Sequence, residues 1–350
     1  MTKKIGIVYD PDYLLHGNAY HPERKERLEA IMTLLRREGV LDKLSHIDPR
    51  PATEEEVALI HDKSYIRLVR DAWASGRSYL DMDTYLNQHT YEVALKAVGG
   101  GLEALDWVMN EGEGEKAFVL ARPPGHHAVP NQGMGFCIFN SIAIAAEAAR
   151  AKYGLERVLI VDWDVHHGNG THDAFWGDPG VLFFSVHQYP AFPGTGDLRE
   201  IGGGEGKGYT INIPLPPGCT DEDYLPVFEE ILEPVVEQFK PQIILVSAGQ
   251  DAHLQDPLAG MSLDLAGYRW MAAFLKGLAE KHCQGKMLLF LEGGYDLKSL
   301  SEAVLVVLDE FAGWGIDLGR EPLEAPRHQQ VVGQRVKMLQ QLLSNTWSFK

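Results

Sequence analysis

The chain is 350 residues long, 45% hydrophobic and 23% charged, which places it among soluble globular proteins of one or two domains. Thirty-two lysines and arginines against 49 aspartates and glutamates leave a formal charge of −17; this argues against a nucleic-acid partner, suits cationic small substrates or basic peptides, and serves solubility. No stretch approaches the roughly 18 apolar residues of a membrane-spanning helix, and Cys137, Cys219 and Cys283 are too few and too scattered for a disulfide framework or a thiolate zinc site.

KIGIVYD (4–10) opens the chain as a strand. Its four-residue apolar run is too short for a secretory signal, so the expected compartment is the cytoplasm. ERKERLEAIMTLLRRE (23–38) has helical spacing. So does YEVALKAVGGGLEALDWVMN (91–110), although Gly99, Gly100 and Gly101 weaken a helix and point to close packing or a break. AFVLA (117–121) is the next strand and NSIAIAAEAARAKY (140–153) the next helix. Three strands follow, RVLIVD (157–162), VLFFSVH (181–187) and YTINIPL (209–215). Between the last two, GGGEGKG (202–208) reads as a loop, since its spacing does not fit a phosphate loop. Beyond come a helix DEDYLPVFEEILEPVVEQF (221–239), a strand QIILVSAG (242–249), a helix over 264–282, a strand MLLFLEGG (287–294) and a helix over 298–313. Residues 326–350 hold Arg327, Arg335, Lys337 and Lys350 without an acidic residue, and VVGQRVKMLQQLL within them predicts a terminal helix packing back on the body.

Uninterrupted Val/Ile/Leu runs are what strands covered on both faces require. Alternation with helices predicts an α/β fold, a single open and mostly parallel sheet flanked by helices, with residues 1–350 as one catalytic domain.

In such sheets ligands bind beyond the carboxyl ends of the strands. AFVLA is followed by His126 and His127 in RPPGHHA; RVLIV by Asp162, Asp164, His166 and His167; QIILVSAG by Gln250, Asp251 and His253; MLLFLEGG by Tyr295 and Asp296. Asp162, Asp164 and His166 lie two residues apart, so an extended segment aims all three one way. Asp251 adds a carboxylate from a distant strand end. Two aspartates and a histidine, with a vacancy, suit a catalytic metal. Carboxylates this close repel one another unless a cation lies between them. Paired surface charges are the bland alternative for Asp162 and Asp164 alone. The prolines and glycine of RPPGHH present the His pair rigidly, as a general base needs.

RPPGHHA, GFCIFN, DWDVHHGNGT, FPGTGD, SAGQDAH and EGGYD together resemble the zinc-dependent histone deacetylase family, in its class II and bacterial deacetylase-like branch. The related acetylpolyamine amidohydrolases share most of them. The resemblance runs from about residue 5 to 310 and implies an arginase/deacetylase-like sheet. It implies zinc on Asp164, His166 and Asp251, with iron(II) open because the ligands are oxygen-rich. It implies His127 as general base, oriented by Asn169, and His126 against Asp162 as an electrostatic partner. Tyr295 would donate to the substrate carbonyl and oxyanion. Phe136, Phe192, Gly135 and Gly293 would line a narrow tunnel, and Asp162, Asp164, His166, Ser185 and Val186 would surround a structural potassium ion. Three positions depart from relatives or sort among them: Gln250 beside the ligand Asp251, Ala191 before Phe192, and Asn169 in place of Asp, as in class II and bacterial members.

The expected activity is removal of acetyl or other acyl groups from acyl-lysine side chains or small acylated amines. The alternatives are an acetylpolyamine-selective deacetylase and an inactive acyl-binding protein; an intact triad with Tyr295 speaks against the latter. No GxSxG elbow offers a serine nucleophile, and dimanganese ureohydrolases need more ligands than this set supplies. The segment 10–28 is expected at the entrance, with Asp81 or Asp83 adding acidity. Nothing in the sequence points to a membrane partner or an oligomeric state.

Overall fold

A computed structural model describes residues 5–110, 114–318 and 325–349; Lys4 of the expected first strand and Lys350 lie outside them. The elements in order are β1 (Ile5–Val8), α1 (Glu26–Arg37), β2 (Ser45–Ile47), α2 (Glu54–Val57), α3 (Lys63–Ala74), α4 (Thr90–Met109), β3 (Lys116–Val119), α5 (Ser141–Tyr153), β4 (Val158–Asp162), α6 (Asn169–Phe175), β5 (Val181–Gln188), β6 (Thr210–Leu215), α7 (Asp221–Val227), α8 (Glu233–Phe239), β7 (Ile243–Ala248), α9 (Leu265–His282), β8 (Met287–Leu291), α10 (Leu297–Ala312) and α11 (Gln329–Leu343). The strands form one sheet in the order β2-β1-β3-β8-β7-β4-β5-β6, and every pairing is parallel. The seven expected strands are all present, and β3, β4, β7 and β8 are buried at every position, as helices on both faces demand.

The sheet order explains the site. β3, β8, β7 and β4 are consecutive neighbours, so the four strand ends that carry chemistry open onto one rim. Val119 lies beside Phe290, Ala248 beside Leu291, and Asp162 beside Ser247. Strand direction and register alone thus bring segments from distant parts of the chain within a few residues' reach.

The three central glycines of α4 do not break it; they let it lie close. A Cβ on Gly99 would fall 1.8 Å from the Arg50 carbonyl oxygen, and one on Gly101 would fall 2.6 Å from the Phe290 ring. The helix expected over 221–239 is continuous in course but not in type. A π-helical stretch, Phe228–Leu232, joins α7 to α8, where Pro226 and Pro234 withhold backbone donors on either side. β2 is a three-residue edge strand, too short to show periodicity. α3 buries Tyr65, Ile66, Val69 and Ala72, a helical spacing that was open to reading. α11 buries Val332, Val336, Leu339 and Leu343 against α7 and the π stretch. Asp223 accepts from the backbone N–H groups of Arg327 at 3.1 Å and His328 at 2.9 Å, pinning the approach to α11. Further on, the Trp347 indole donates to the Gly208 carbonyl at 2.7 Å, so the glycine-rich loop is packed beneath the terminal segment. No helix among the described residues is long and apolar enough to cross a membrane.

Candidate active site

Beyond β3 the chain is held from behind by a carboxylate. Glu292 Oε2, just past β8, accepts from the N–H groups of Gly125 at 2.7 Å and His126 at 3.2 Å. Both imidazoles are buried and pack with ring centroids 4.0 Å apart. Their outer nitrogens face different partners. His126 Nδ1 lies 3.0 Å from Asp162 Oδ2, whereas His127 Nδ1 lies 2.8 Å from Asn169 Oδ1. The Asn169 amide nitrogen donates to the His127 carbonyl at 3.3 Å, which turns its oxygen toward the ring. His127 Nδ1 therefore carries the hydrogen, and Nε2 keeps its lone pair.

The two histidines are driven apart electrically. Burial alone would depress His126, but Asp164, Asp162 and Glu292 together hold its pKa well above the ordinary value. Burial, with the positive neighbours His126 and His166, holds His127 well below it. Opposed shifts of this kind mark acid and base assignments.

β4 ends at Asp162, and the chain bends there rather than running on extended. Asp162 Oδ2 reaches His126 Nδ1 at 3.0 Å, and Asp164 Oδ1 lies between the two imidazoles, 3.8 Å from His126 Nε2 and 3.1 Å from His166 Nδ1. The segment is bent and not extended, yet Asp162, Asp164 and His166 still gather in one contiguous group. The bend is closed by side-chain oxygens: Asp162 Oδ1 accepts from Asp164 N at 3.1 Å, and Asp164 Oδ1 from His166 N at 2.9 Å. Local Asx hydrogen bonding has overridden the strand.

Asp164, His166 and Asp251 each place a ligand atom within 4.8 Å of the other two. His166 Nδ1 stands 3.1 Å from Asp164 Oδ1 and 3.2 Å from Asp251 Oδ2. The remaining carboxylate oxygens are tied back, Asp164 Oδ2 to Gly293 N at 2.7 Å and Asp251 Oδ1 to Val165 N at 2.9 Å. Asp251 Oδ2 is buried without a hydrogen bond. An orphaned carboxylate oxygen beside a second carboxylate and an imidazole fits a divalent cation. The enclosure requires glycines: a Cβ on Gly249 would sit 2.0 Å from Asp164 Oδ2, and one on Gly293 would sit 2.0 Å from Asp251 Oδ2. His126, Cys137 and Glu292 form a second such group, but Asp162 engages His126, two backbone N–H groups engage Glu292, and Cys137 Sγ meets His127 N and the Gly135 carbonyl.

The remaining residues wall this group in. Phe192 meets the His127 ring edge-on, with centroids 5.0 Å apart. Phe136 meets Tyr295 edge-on at 5.9 Å. Gly135 lies against the first of these pairs, since a Cβ there would fall 2.5 Å from His127 Cδ2 and 2.8 Å from the Phe192 ring. Tyr295 is held protonated, burial pushing its pKa well above the ordinary value. Gln250 is buried with Nε2 donating to the Ala248 carbonyl at 3.1 Å, so it braces the strand end. Ser185 lies beside Asp162 in register and its hydroxyl pairs with His187 Nδ1 at 2.9 Å; Val186 is buried in the adjoining position.

A sequence profile for the histone deacetylase domain matches residues 21–311. The chain belongs to the histone deacetylase family. A probable deacetylase of Archaeoglobus fulgidus is 44% identical over 321 residues, covering 91% of this chain and 89% of that one. A histone deacetylase-like amidohydrolase of Pseudomonas aeruginosa is 38% identical over 298 residues, covering 85% and 77%. The crystal structure of the HDA15 HD domain superposes with a TM-score of 0.91 at 34% identity, covering 99% of this chain and 96% of that one. Membership makes the protein a hydrolase of the deacetylase and amidohydrolase type, in a family that is generally metal-dependent.

Sequence reading missed what stands behind the site. Glu23, Arg27 and Arg122 form a buried ion network, and Arg27 donates to the Gly294 carbonyl at 2.6 Å and to that of Glu292. Arg122 sits directly before the Pro-Pro of the histidine motif, and that position was the one signal available.

Proposed function

We propose that this protein removes acyl groups from acyl-lysine side chains of peptides, using zinc held by Asp164, His166 and Asp251. The observation that carries the reading is the buried Asp251 Oδ2 that takes no hydrogen bond, 3.2 Å from His166 Nδ1, whose ring centre lies 5.9 Å from that of the Asn169-oriented His127. When bound, the cation supplies a Lewis acid that polarises the amide carbonyl and lowers the pKa of a water to about 7. His127 Nε2 takes the proton from the attacking water and returns it to the departing amine nitrogen. His126, charged against Asp162, keeps His127 from protonating early. The Tyr295 hydroxyl donates to the carbonyl oxygen as it gains negative charge. Phe136, Phe192 and the small Gly135 and Gly293 exclude bulk water and pass a thin aliphatic stem. Iron(II) suits the same oxygen-rich donors. A potassium ion near Asp162, Asp164, His166, Ser185 and Val186 belongs to this reading by resemblance.

The rim supports a polypeptide substrate over a polyamine. His21 packs edge-on against Phe136 at 4.5 Å and its Nε2 pairs with the Asp83 carbonyl at 3.0 Å. Flanking this joint, Tyr20 and Met82 are 99% and 98% exposed. Asp81 is turned onto its own loop, its Oδ1 accepting from Asp83 N and Thr84 N. Exposed apolar groups suit residues beside an acyl-lysine better than a second ammonium.

The test is amine release by zinc-loaded protein from an acetyl-lysyl peptide and from acetylputrescine, with Tyr295→Phe as blank. Faster turnover of the peptide, lost in the blank, is expected. Faster turnover of acetylputrescine moves the substrate to polyamines, and no release from either overturns the reading.

A further inference from the structure

The peptide bond between Gly294 and Tyr295 is gripped on both sides. Its carbonyl accepts from Arg27 Nε at 2.6 Å. Its N–H donates to Asp256 Oδ2 at 2.7 Å, and the next N–H, that of Asp296, points to the same oxygen at 3.4 Å. The other Asp256 oxygen accepts from Leu258 N at 2.9 Å. Asp256 is buried on the loop that also carries Asp251. One carboxylate therefore joins the loop after β7 to the loop after β8.

This grip answers a physical difficulty. Gly294 has φ +120°, a conformation open to glycine and strained for other residues. A glycine there leaves the peptide free to rotate, and rotation would swing Tyr295 off the developing oxyanion. Donors of this kind act only when held in place before the reaction, within a few tenths of an ångström. The Arg27 guanidinium carbon also lies 5.0 Å from the centre of the Tyr295 ring, so it limits the ring from one side while Asp256 limits the backbone from the other.

We propose that Asp256 is a positioning residue for Tyr295, fixing the Gly294–Tyr295 peptide so that the phenol meets the substrate carbonyl; the catalytic part of this rests on the deacylase reading above. Through the Leu258 N–H, the same side chain ties the exposed end of the loop after β7 to the placement of Tyr295.

The experiment compares Asp256→Ala and Asp256→Asn, alone and combined with Tyr295→Phe, in the zinc-loaded full chain. Asp256→Ala is expected to lower kcat about 100-fold with KM changed less than threefold. Asp256→Asn, which keeps an acceptor oxygen, is expected to recover to within about tenfold of the parent. Neither is expected to lower the residual rate of Tyr295→Phe further, because a residue acting through Tyr295 has nothing left to position. Additive losses overturn the proposal, as does an alanine variant that loses its metal or an asparagine variant no better than alanine. Should Asp256→Ala fail to fold, the asparagine cycle alone decides, by the same non-additivity.

A crystal structure of the variant makes the test independent of turnover. A displaced Tyr295 ring or a rotated Gly294–Tyr295 peptide is expected, and an unmoved one overturns the clamp. A parent protein that releases no amine, with the ring displaced in the variant, sinks the deacylase reading and leaves the clamp standing.

Discussion

Two clusters of buried charge lie side by side in this protein, and only one is complete. In the first, Arg122 directs Nε and Nη2 to Glu23, Nη1 to the carbonyls of Tyr13 and His16, and Nη2 also to the Tyr85 hydroxyl. All five guanidinium hydrogens are thereby used. In the second, His166 Nδ1 pairs with Asp164 Oδ1, and Asp251 Oδ2, 3.2 Å from the same nitrogen, takes no hydrogen bond. Buried charge is tolerable only when paired and hydrogen-bonded. The first cluster is closed by the chain's own residues and is architecture. The second is left open by the chain and asks for a cation.

The largest effect that tests this contrast is removal of the open carboxylate. Asp251→Asn is expected to abolish metal uptake and to lower amine release by about 10³-fold or more, read by metal analysis and turnover. The metal-free variant should melt no lower than the metal-free parent, because it removes a carboxylate that repels Asp164. A marked fall in melting temperature would place Asp251 with the architectural charges.

Glu23→Gln is the opposite case. It leaves Arg27 and Arg122 buried without their counter-ion, and a loss of about 3–5 kcal/mol is expected in urea unfolding. The closed cluster also predicts a pH dependence. Burial alone would raise Glu23, but Arg122 and its neighbours bring the pKa down from the ordinary 4.5 to about 2. A depressed carboxyl stabilises the fold above its unfolded pKa and loses that contribution as pH falls through its folded one. The parent should therefore lose stability between about pH 4.5 and 2, and Glu23→Gln should lack that component. An acid limb that survives in the variant would assign it to other carboxylates.

Tyr295→Phe removes the oxyanion donor and nothing from either cluster. A fall in kcat of about 10²–10³-fold, with KM and metal content retained, is expected from steady-state kinetics. Smaller still is the effect of Asn169→Ala, which frees the His127 tautomer. A loss of roughly 10–100-fold in kcat is expected, the range for partners that orient a functional imidazole. A kcat within twofold of the parent would remove Asn169 from the site.

Much of this was legible in the chain. Every expected strand formed, because runs such as RVLIV and QIILV have no other way to be covered on two faces. The ends of those runs carried Asp164, His166, Asp251, His127 and Tyr295, and the fold brings them together. What escaped was the support. Arg27 reaches Gly294 across 267 residues and Arg122 reaches Glu23 across 99, with no periodicity or spacing to announce either contact. The course of the backbone after Asp162 escaped differently. Spacing by two implies a shared face only while the chain stays extended, and Asx hydrogen bonds bend it at the strand end.

The sequence by itself determined the layered α/β architecture, the strand ends as the place of chemistry and the residue types gathered there, since apolar runs and short polar motifs act locally. The tertiary structure alone decided that β3, β8, β7 and β4 stand next to one another, that the chain bends after Asp162 while Asp251 Oδ2 takes no hydrogen bond, and that Asp256 and Arg27 grip one peptide from opposite sides. Those outcomes depend on strand order and on hydrogen bonds between distant segments, and neither is encoded in any window of neighbouring residues.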